Sequence, residues 1–296
     1  MMDSTVAFRD ALQNVYGPLD WLPIPDGDIH RFHVPGDQTG TRNGWYVLFV
    51  DVIACSVFGS WKVGGWQTWC SRKPANYLEA QIFTQRIEQA KRQSEAKRLQ
   101  LQQDTAERAN RLWRDAGHAD PNHPYLLAKG VRTYALRQTN DVLLVPLTRY
   151  GLLVSLQRIK PDGDKRFLFG GMTKGCCSLI GTIQPDRPLY ICEGWATGAT
   201  LHAETGAAVA CAMTAGNLLE VGQRLQRQYP DAVLIVAGDD DRMTAGNPGR
   251  TFAIKAATEL GCRMVFPPWS GGEPLTLSDF NDLANWRAAH DFHAYS

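Results

Sequence analysis

Strands alternating with helices over residues 187–285 predict an α/β fold built on a parallel sheet, because each strand–helix–strand step closes as a right-handed crossover. Two further observations frame it. Asn76 to Ala116 contains neither glycine nor proline and reads as one long helix, and the flanking stretches 1–75 and 118–186 read as short strands broken by turns. With 296 residues the chain has room for two or three units. The expected divisions are 1–75, a small β-rich module; 76–117, a helical linker; 118–186, a basic strand subdomain; and 187–296, the α/β domain.

In the front module, IHRFHV, GWYVLFVDVI and CSVFGSWKVGGWQTW alternate apolar with polar residues and are interrupted by GDQTGTRNG and GG. Trp45, Trp61, Trp66 and Trp69 lie among Arg42, Lys62, Arg72 and Lys73. That mixture could stack single-stranded bases beside phosphate-binding cations, but a tryptophan-rich core with solvated charges is the favoured reading, because aromatics are usual strand residues. In the long helix, Asn76 and Glu79 have capping-box spacing. Between Glu79 and Arg114 eight Arg or Lys stand against five Asp or Glu, which fits a solvated spacer or a nucleic-acid arm. Beyond it, NDVLLVPLTRYGLLVSLQRIKPDGDKRFLFGG reads as two or three antiparallel strands turning at Tyr150-Gly151 and Pro161-Asp162-Gly163. Its cations are bunched: Arg149, Arg158, Lys160, Lys165, Arg166 and Lys174 are opposed only by Asp162 and Asp164, which suits either a phosphate-facing surface or a strand pair whose charges simply face water.

The α/β section runs LYICE, GWATGATLHAETG, AAVACAM, NLLEVGQRLQRQY, DAVLIVAG, PGRTFAIKAATELG and CRMVFP, alternately strand and helix. Reactive groups in such sheets gather beyond the carboxyl ends of the strands. Glu193 follows the first strand, Asp239, Asp240 and Asp241 the third, and Asp279 and Asp282 lie in SDFNDLA after the last. Residues i and i+2 of an extended segment face the same way, so Asp239 and Asp241 can share a cation while Asp240 turns aside. Carboxylate oxygens without nearby His or Cys suit Mg²⁺ or Mn²⁺, and phosphoryl or nucleotidyl chemistry is the natural use of such ions.

Several classes are disfavoured. Net charge of +1 argues against wholesale polyanion binding, so any nucleic-acid surface is local. The sequence has no run long and apolar enough for a membrane span and no leader pattern, which points to a cytoplasmic protein. Seven cysteines without a CxxC pair suit reduced thiols rather than a disulfide frame or zinc ribbon. No GxxxxGK[ST], GxGxxG or GxSxG motif occurs.

CEGWATG with Glu193, followed by GDDDRMTAGNPG with Asp239 and Asp241, resembles the Toprim domain shared by bacterial DnaG-type primases, type IA and II topoisomerases and certain nucleases. The basic strands before it resemble the subdomain that precedes Toprim in primases, and SDFNDLA resembles the ending seen in plasmid and phage Toprim primases. Across residues 120–286 the resemblance implies a primase that makes short RNA on single-stranded DNA from NTPs. It implies catalytic metal binding by Glu193, Asp239 and Asp241, with Asp279 and Asp282 as helpers, and nucleotide or nucleic-acid binding by Arg158, Lys165, Arg166 and Lys174. A replicative helicase is an implied partner. The Cys and His spacing offers no zinc ribbon of the kind cellular primases carry, and little chain follows residue 286 for helicase docking. A Toprim nuclease, with water as nucleophile, and a non-catalytic single-strand-binding adaptor are the competing readings; the basic strands favour polymerisation.

Overall fold

The computed structural model describes residues 4–291, which form two compact units divided between Gln100 and Leu101. The first holds α1 (Ser4–Tyr16), then β1 (Ile29–Phe32), β2 (Gly44–Phe49), β3 (Cys55–Ser60) and β4 (Gln67–Cys70), and the first part of α2 (Tyr77–Asp115). The four strands make an antiparallel sheet in the order β1-β2-β3-β4. Every residue of β2 and β3 is buried because a helix covers each face. On one face Trp45, Val47, Phe49 and Val57 pack against Ile87 and Ala90 of α2. On the other, Tyr46, Leu48 and Phe58 pack against Phe8 and Leu12 of α1. The sequence suggested only strands and turns here; α1 is additional, its apolar face reduced to a single i,i+4 pair of buried residues.

The start of α2 is fixed as its sequence suggests. Asn76 Oδ1 accepts from the Glu79 backbone N–H at 2.9 Å, and the Glu79 carboxylate accepts from Ala75 N–H at 2.8 Å and from Arg72. The helix runs 39 residues, about 60 Å at the usual rise. It is more than a solvated spacer: Ile87 and Ala90 serve the first unit's core, and Ala109, Leu112 and Trp113 serve the second's.

The second unit opens with β5 (Gly117–His118), α3 (Pro124–Lys129), β6 (Arg137–Thr139), β7 (Val142–Arg149), β8 (Leu152–Ile159) and β9 (Lys165–Phe167), an antiparallel sheet in chain order. Tyr150 (φ 51°) and Gly151 (φ 79°) make the tight β7–β8 turn, the left-handed pair that matches strand twist. Side chains alternate across this sheet. Leu144, Leu156 and Leu168 pack on the C-terminal part of α2, whereas Leu143, Val145, Leu147 and Ile159 pack towards the α/β layer.

That layer comprises β10 (Ser178–Ile180), β11 (Pro188–Cys192), α4 (Trp195–Thr205), β12 (Ala208–Cys211), α5 (Leu218–Gln228), β13 (Val233–Ala237), α6 (Pro248–Leu260), β14 (Arg263–Val265) and α7 (Phe280–Asp291). The order is β10-β12-β11-β13-β14, parallel except for β10 at the edge. Trp195, Ala196 and Ala199 of α4 cover one face; α5 and α6 cover the other through Leu218, Val221, Ala253 and Ala257. Gly198 lets α4 lie close, since a Cβ there would sit 2.3 Å from Cys211 Sγ. The chain leaves β11 for β12 on one side and later returns to β13 on the other, so winding reverses between β11 and β13. A crevice forms at such a reversal, beyond the carboxyl ends of the strands.

Candidate active site

Both acidic motifs stand at that crevice. Ile191 is in register with Val236, so Glu193 and Asp239 leave adjacent parallel strands, whose axes are about 5 Å apart. The Glu193 carboxylate accepts from Ala215 N–H, and its carbonyl from Met213 N–H at 2.7 Å.

The aspartate triplet divides by side-chain direction. Asp240 is buried and accepts from Asn247 Nδ2 (2.7 Å) and Trp269 Nε1 (3.0 Å), with Arg250 at 3.3 Å. Burial acts to raise its pKa, but these bonds and the guanidinium outweigh it and hold the carboxyl below its ordinary value. Asp241 Oδ2 accepts from Gly249 N–H at 2.8 Å in the first turn of α6, where the helix dipole favours an anion. Asn247, left-handed at φ 41°, clips the loop: its Oδ1 accepts from the N–H groups of Asp241 and Arg250. A Cβ on Gly249 would meet Asp241 Oδ2 at 2.8 Å and Asp239 Cβ at 3.0 Å, so this position must be bare for the two carboxylates to keep their places.

Asp239 Oδ1 is buried and has no hydrogen-bond partner. Desolvation first, then the charges of Asp279, Glu193, Asp241 and Asp282, push its pKa up to about 8. Glu193 is also raised, by burial and then by Asp241; Asp279 is raised by burial and then by Asp282. The acids therefore lie within one another's fields. Asp279 and Asp282 have other work as well. Asp279 accepts from Thr197 Oγ1 (3.0 Å) and Asp282 N–H (2.7 Å), and Asp282 accepts from Ser278 N–H (3.1 Å), securing the start of α7.

Of the four cations singled out in the sequence, Lys165 is brought to the acids. It is in register with Ile159 and shares the sheet face that packs towards the α/β layer. Although exposed, it loses enough hydration for its pKa to fall, with Lys129 adding repulsion while Asp279, Glu193 and Asp239 oppose the fall. Arg166 and Arg158 are paired with each other on the opposite face, with Leu144 and Leu156; Arg166 bonds Asp164 at 3.0 Å. Lys174 pairs with Glu220 at 2.8 Å.

The sequence reading did not single out Lys129, at the end of α3. Its ammonium lies 3.3 Å from Asp282; burial acts to lower its pKa, but Asp282 and Asp279 outweigh this and raise it. Asn281 fixes the same residue by donating to the Lys129 carbonyl at 2.7 Å. Nothing near PYLLAKG in the chain signals a partner 153 residues away.

A divalent cation fits the donor set. Glu193, Asp239 and Asp241 offer hard carboxylate oxygens, and the orphaned Asp239 Oδ1 is the atom a cation would satisfy. Among the described residues no three His, Cys, Asp or Glu already form a metal-binding cluster, so the carboxylates are electrostatic neighbours rather than a finished cage.

Residues 188–289 match the family model described as Toprim domain. The α/β layer is a Toprim domain, and its reversal point carries the Glu and Asp-x-Asp signature. The sequence relatives are primases: DNA primase TraC from Escherichia coli is 32% identical over 289 residues, covering 90% of this chain and 26% of the relative. A second Escherichia coli protein described as DNA primase TraC is 32% identical over 268 residues, covering 85% of this chain and 18% of its own. The chain thus spans about a quarter or less of the length of the curated relatives it matches. Among solved structures, one described as the DnaG primase catalytic domain bound to ssDNA aligns with TM-score 0.44 and 16% identity, covering 66% of this chain and 78% of that one. Among the described residues no helix is long and apolar enough to cross a membrane.

Proposed function

We propose that this chain makes short RNA primers on single-stranded DNA by metal-dependent nucleotidyl transfer, in the replication of a plasmid or phage. The observation that carries the reading is the buried, unpartnered Asp239 oxygen, which lies in the electrostatic field of Glu193 and Asp241, with Lys165 near enough to feel the same acids. The sequence similarity to DNA primase TraC supports it.

In this reading Glu193, Asp239 and Asp241 hold Mg²⁺ or Mn²⁺, and the ion supplies Lewis-acid charge at the reacting phosphate. Lys165 neutralises triphosphate oxygens. Lys129 balances Asp279 and Asp282, which shape the field and fix α7 against the site. Arg158 and Arg166, on the far face of the basic sheet, bind the nucleic-acid backbone, where contacts position a strand without reading its bases. Positioning and charge compensation supply the rate.

The test is synthesis by the purified chain from labelled NTPs on single-stranded DNA with Mg²⁺ or Mn²⁺. Oligoribonucleotides are expected, and Glu193→Ala should abolish them. Shortened DNA without synthesis would assign the acids to a nuclease instead; binding with neither product would leave an adaptor. Gly249→Ala gives a finer check. By displacing Asp239 and Asp241 it should cut synthesis about a hundredfold while costing about 1–3 kcal/mol of stability, read by product gels and thermal melting.

A further inference from the structure

The first unit contains a cavity of about 350 Å³ bounded by the β3–β4 turn and α2. Its walls are Trp61 and Trp66 from the turn, Lys91 and Arg98 from the helix, and Trp45 from β2. Trp66 is 52% exposed, far more than a tryptophan recruited to a core. Lys91 Nζ stands 3.4 Å from the Trp66 ring centroid, and among the described residues it has no carboxylate partner. Glu95 also lines the cavity and holds Arg98 through bonds of 3.0 and 2.6 Å, so that guanidinium is neutralised and Lys91 supplies the net positive charge. Trp45 is buried, and its indole N–H has no acceptor. Gly64 and Gly65, both left-handed at φ 80° and 78°, form the turn beside these groups.

A half-exposed indole, an ammonium that rests on it without a carboxylate partner, and an unpaired donor are three features that one ligand class would use together. A nucleotide would stack its base on Trp66 in place of the Lys91 ammonium, which turns to the backbone phosphate, and offer ring or carbonyl acceptors to the buried N–H. We propose that this cavity binds an unpaired base of a single-stranded nucleic acid, holding the strand at a point separate from the carboxylate site. The inference rests on the nucleic-acid part of the proposed function and not on polymerisation.

The test uses the full chain with a 5-iodouracil-substituted oligothymidylate of about 12 nucleotides, its affinity read by fluorescence anisotropy and its contact points by photo-crosslinking and peptide mapping. A crosslink is expected in the peptide containing Trp61 and Trp66. Trp66→Ala should lose it and weaken binding about tenfold, while Trp66→Phe keeps most of both. Lys91→Glu should weaken binding comparably and flatten its salt dependence. Unchanged melting of Trp66→Ala would show that the fold is intact. Crosslinks confined to residues beyond 117, or equal affinity for Trp66→Ala and the wild type, would overturn the inference. Failed primer synthesis with the Trp66 crosslink retained would instead sink only the enzymatic reading.

Discussion

Asp239→Asn is expected to abolish synthesis and to stabilise the ion-free protein at the same time. The activity loss should be on the order of a thousandfold, since an electrostatic contact made at the reacting phosphate disappears. The stability gain follows from linkage. The wild-type carboxyl is raised to about 8, above its unfolded value, so the folded state favours the protonated form. That preference costs nothing at pH values below the unfolded pKa; stability is lost as pH climbs from near 4 to about 8 and then levels off. Asparagine is neutral throughout. At pH 8 and without divalent ions the variant should therefore melt roughly 5 °C or more above the wild type, a gain on the order of a few kcal/mol. The gap should close as pH falls towards 4. Mg²⁺ should raise the wild-type midpoint and leave that of the variant nearly unmoved. Melting curves at several pH values, with and without Mg²⁺, decide this; a variant less stable at pH 8 would contradict the field drawn around Asp239.

The second large effect separates two neighbours. Lys165→Ala should lower kcat/KM for NTPs by about a hundredfold, because the cation facing Glu193, Asp239 and Asp279 is gone. Arg166→Ala should leave kcat within about threefold and act on strand affinity and its salt dependence, since Arg166 stands opposite Arg158 on the other face. Steady-state kinetics against NTP, paired with salt titrations of DNA binding, measure both. Equal losses in kcat/KM for the two variants would contradict the division of the sheet into a site face and a far face.

That division was available in the sequence, because consecutive strand residues point to opposite sides. KRF at 165–167 already says that Lys165 and Arg166 cannot share a face; what it does not say is which face meets the acids, a choice set by the packing of Ile159 and Leu143 towards α4. The strand–helix alternation after residue 187 was legible because short apolar runs alternate with longer helical stretches, and two of the three crossover helices stop at a glycine, Gly206 and Gly261. The placing of Asp240 away from its neighbours was legible too, from the two-residue period. Its partners Asn247, Trp269 and Arg250 were not, because they come from loops and a helix end with no pattern to read. Lys129 was hidden for the same reason. A lysine at the end of a six-residue helix looks like any helix terminus until α7 brings Asp282 beside it. The antiparallel edge strand β10 is three residues long, too short to show a period.

The continuous helix α2 has a practical corollary for dividing this chain. Ile87 and Ala90 close one hydrophobic interior, and Ala109, Leu112 and Trp113 another. A fragment beginning near residue 76 would carry the front unit's missing wall as a bare greasy flank, while a front piece ending there would be left with an open core. Cleavage about Gln100 leaves each portion with the helical turns it needs.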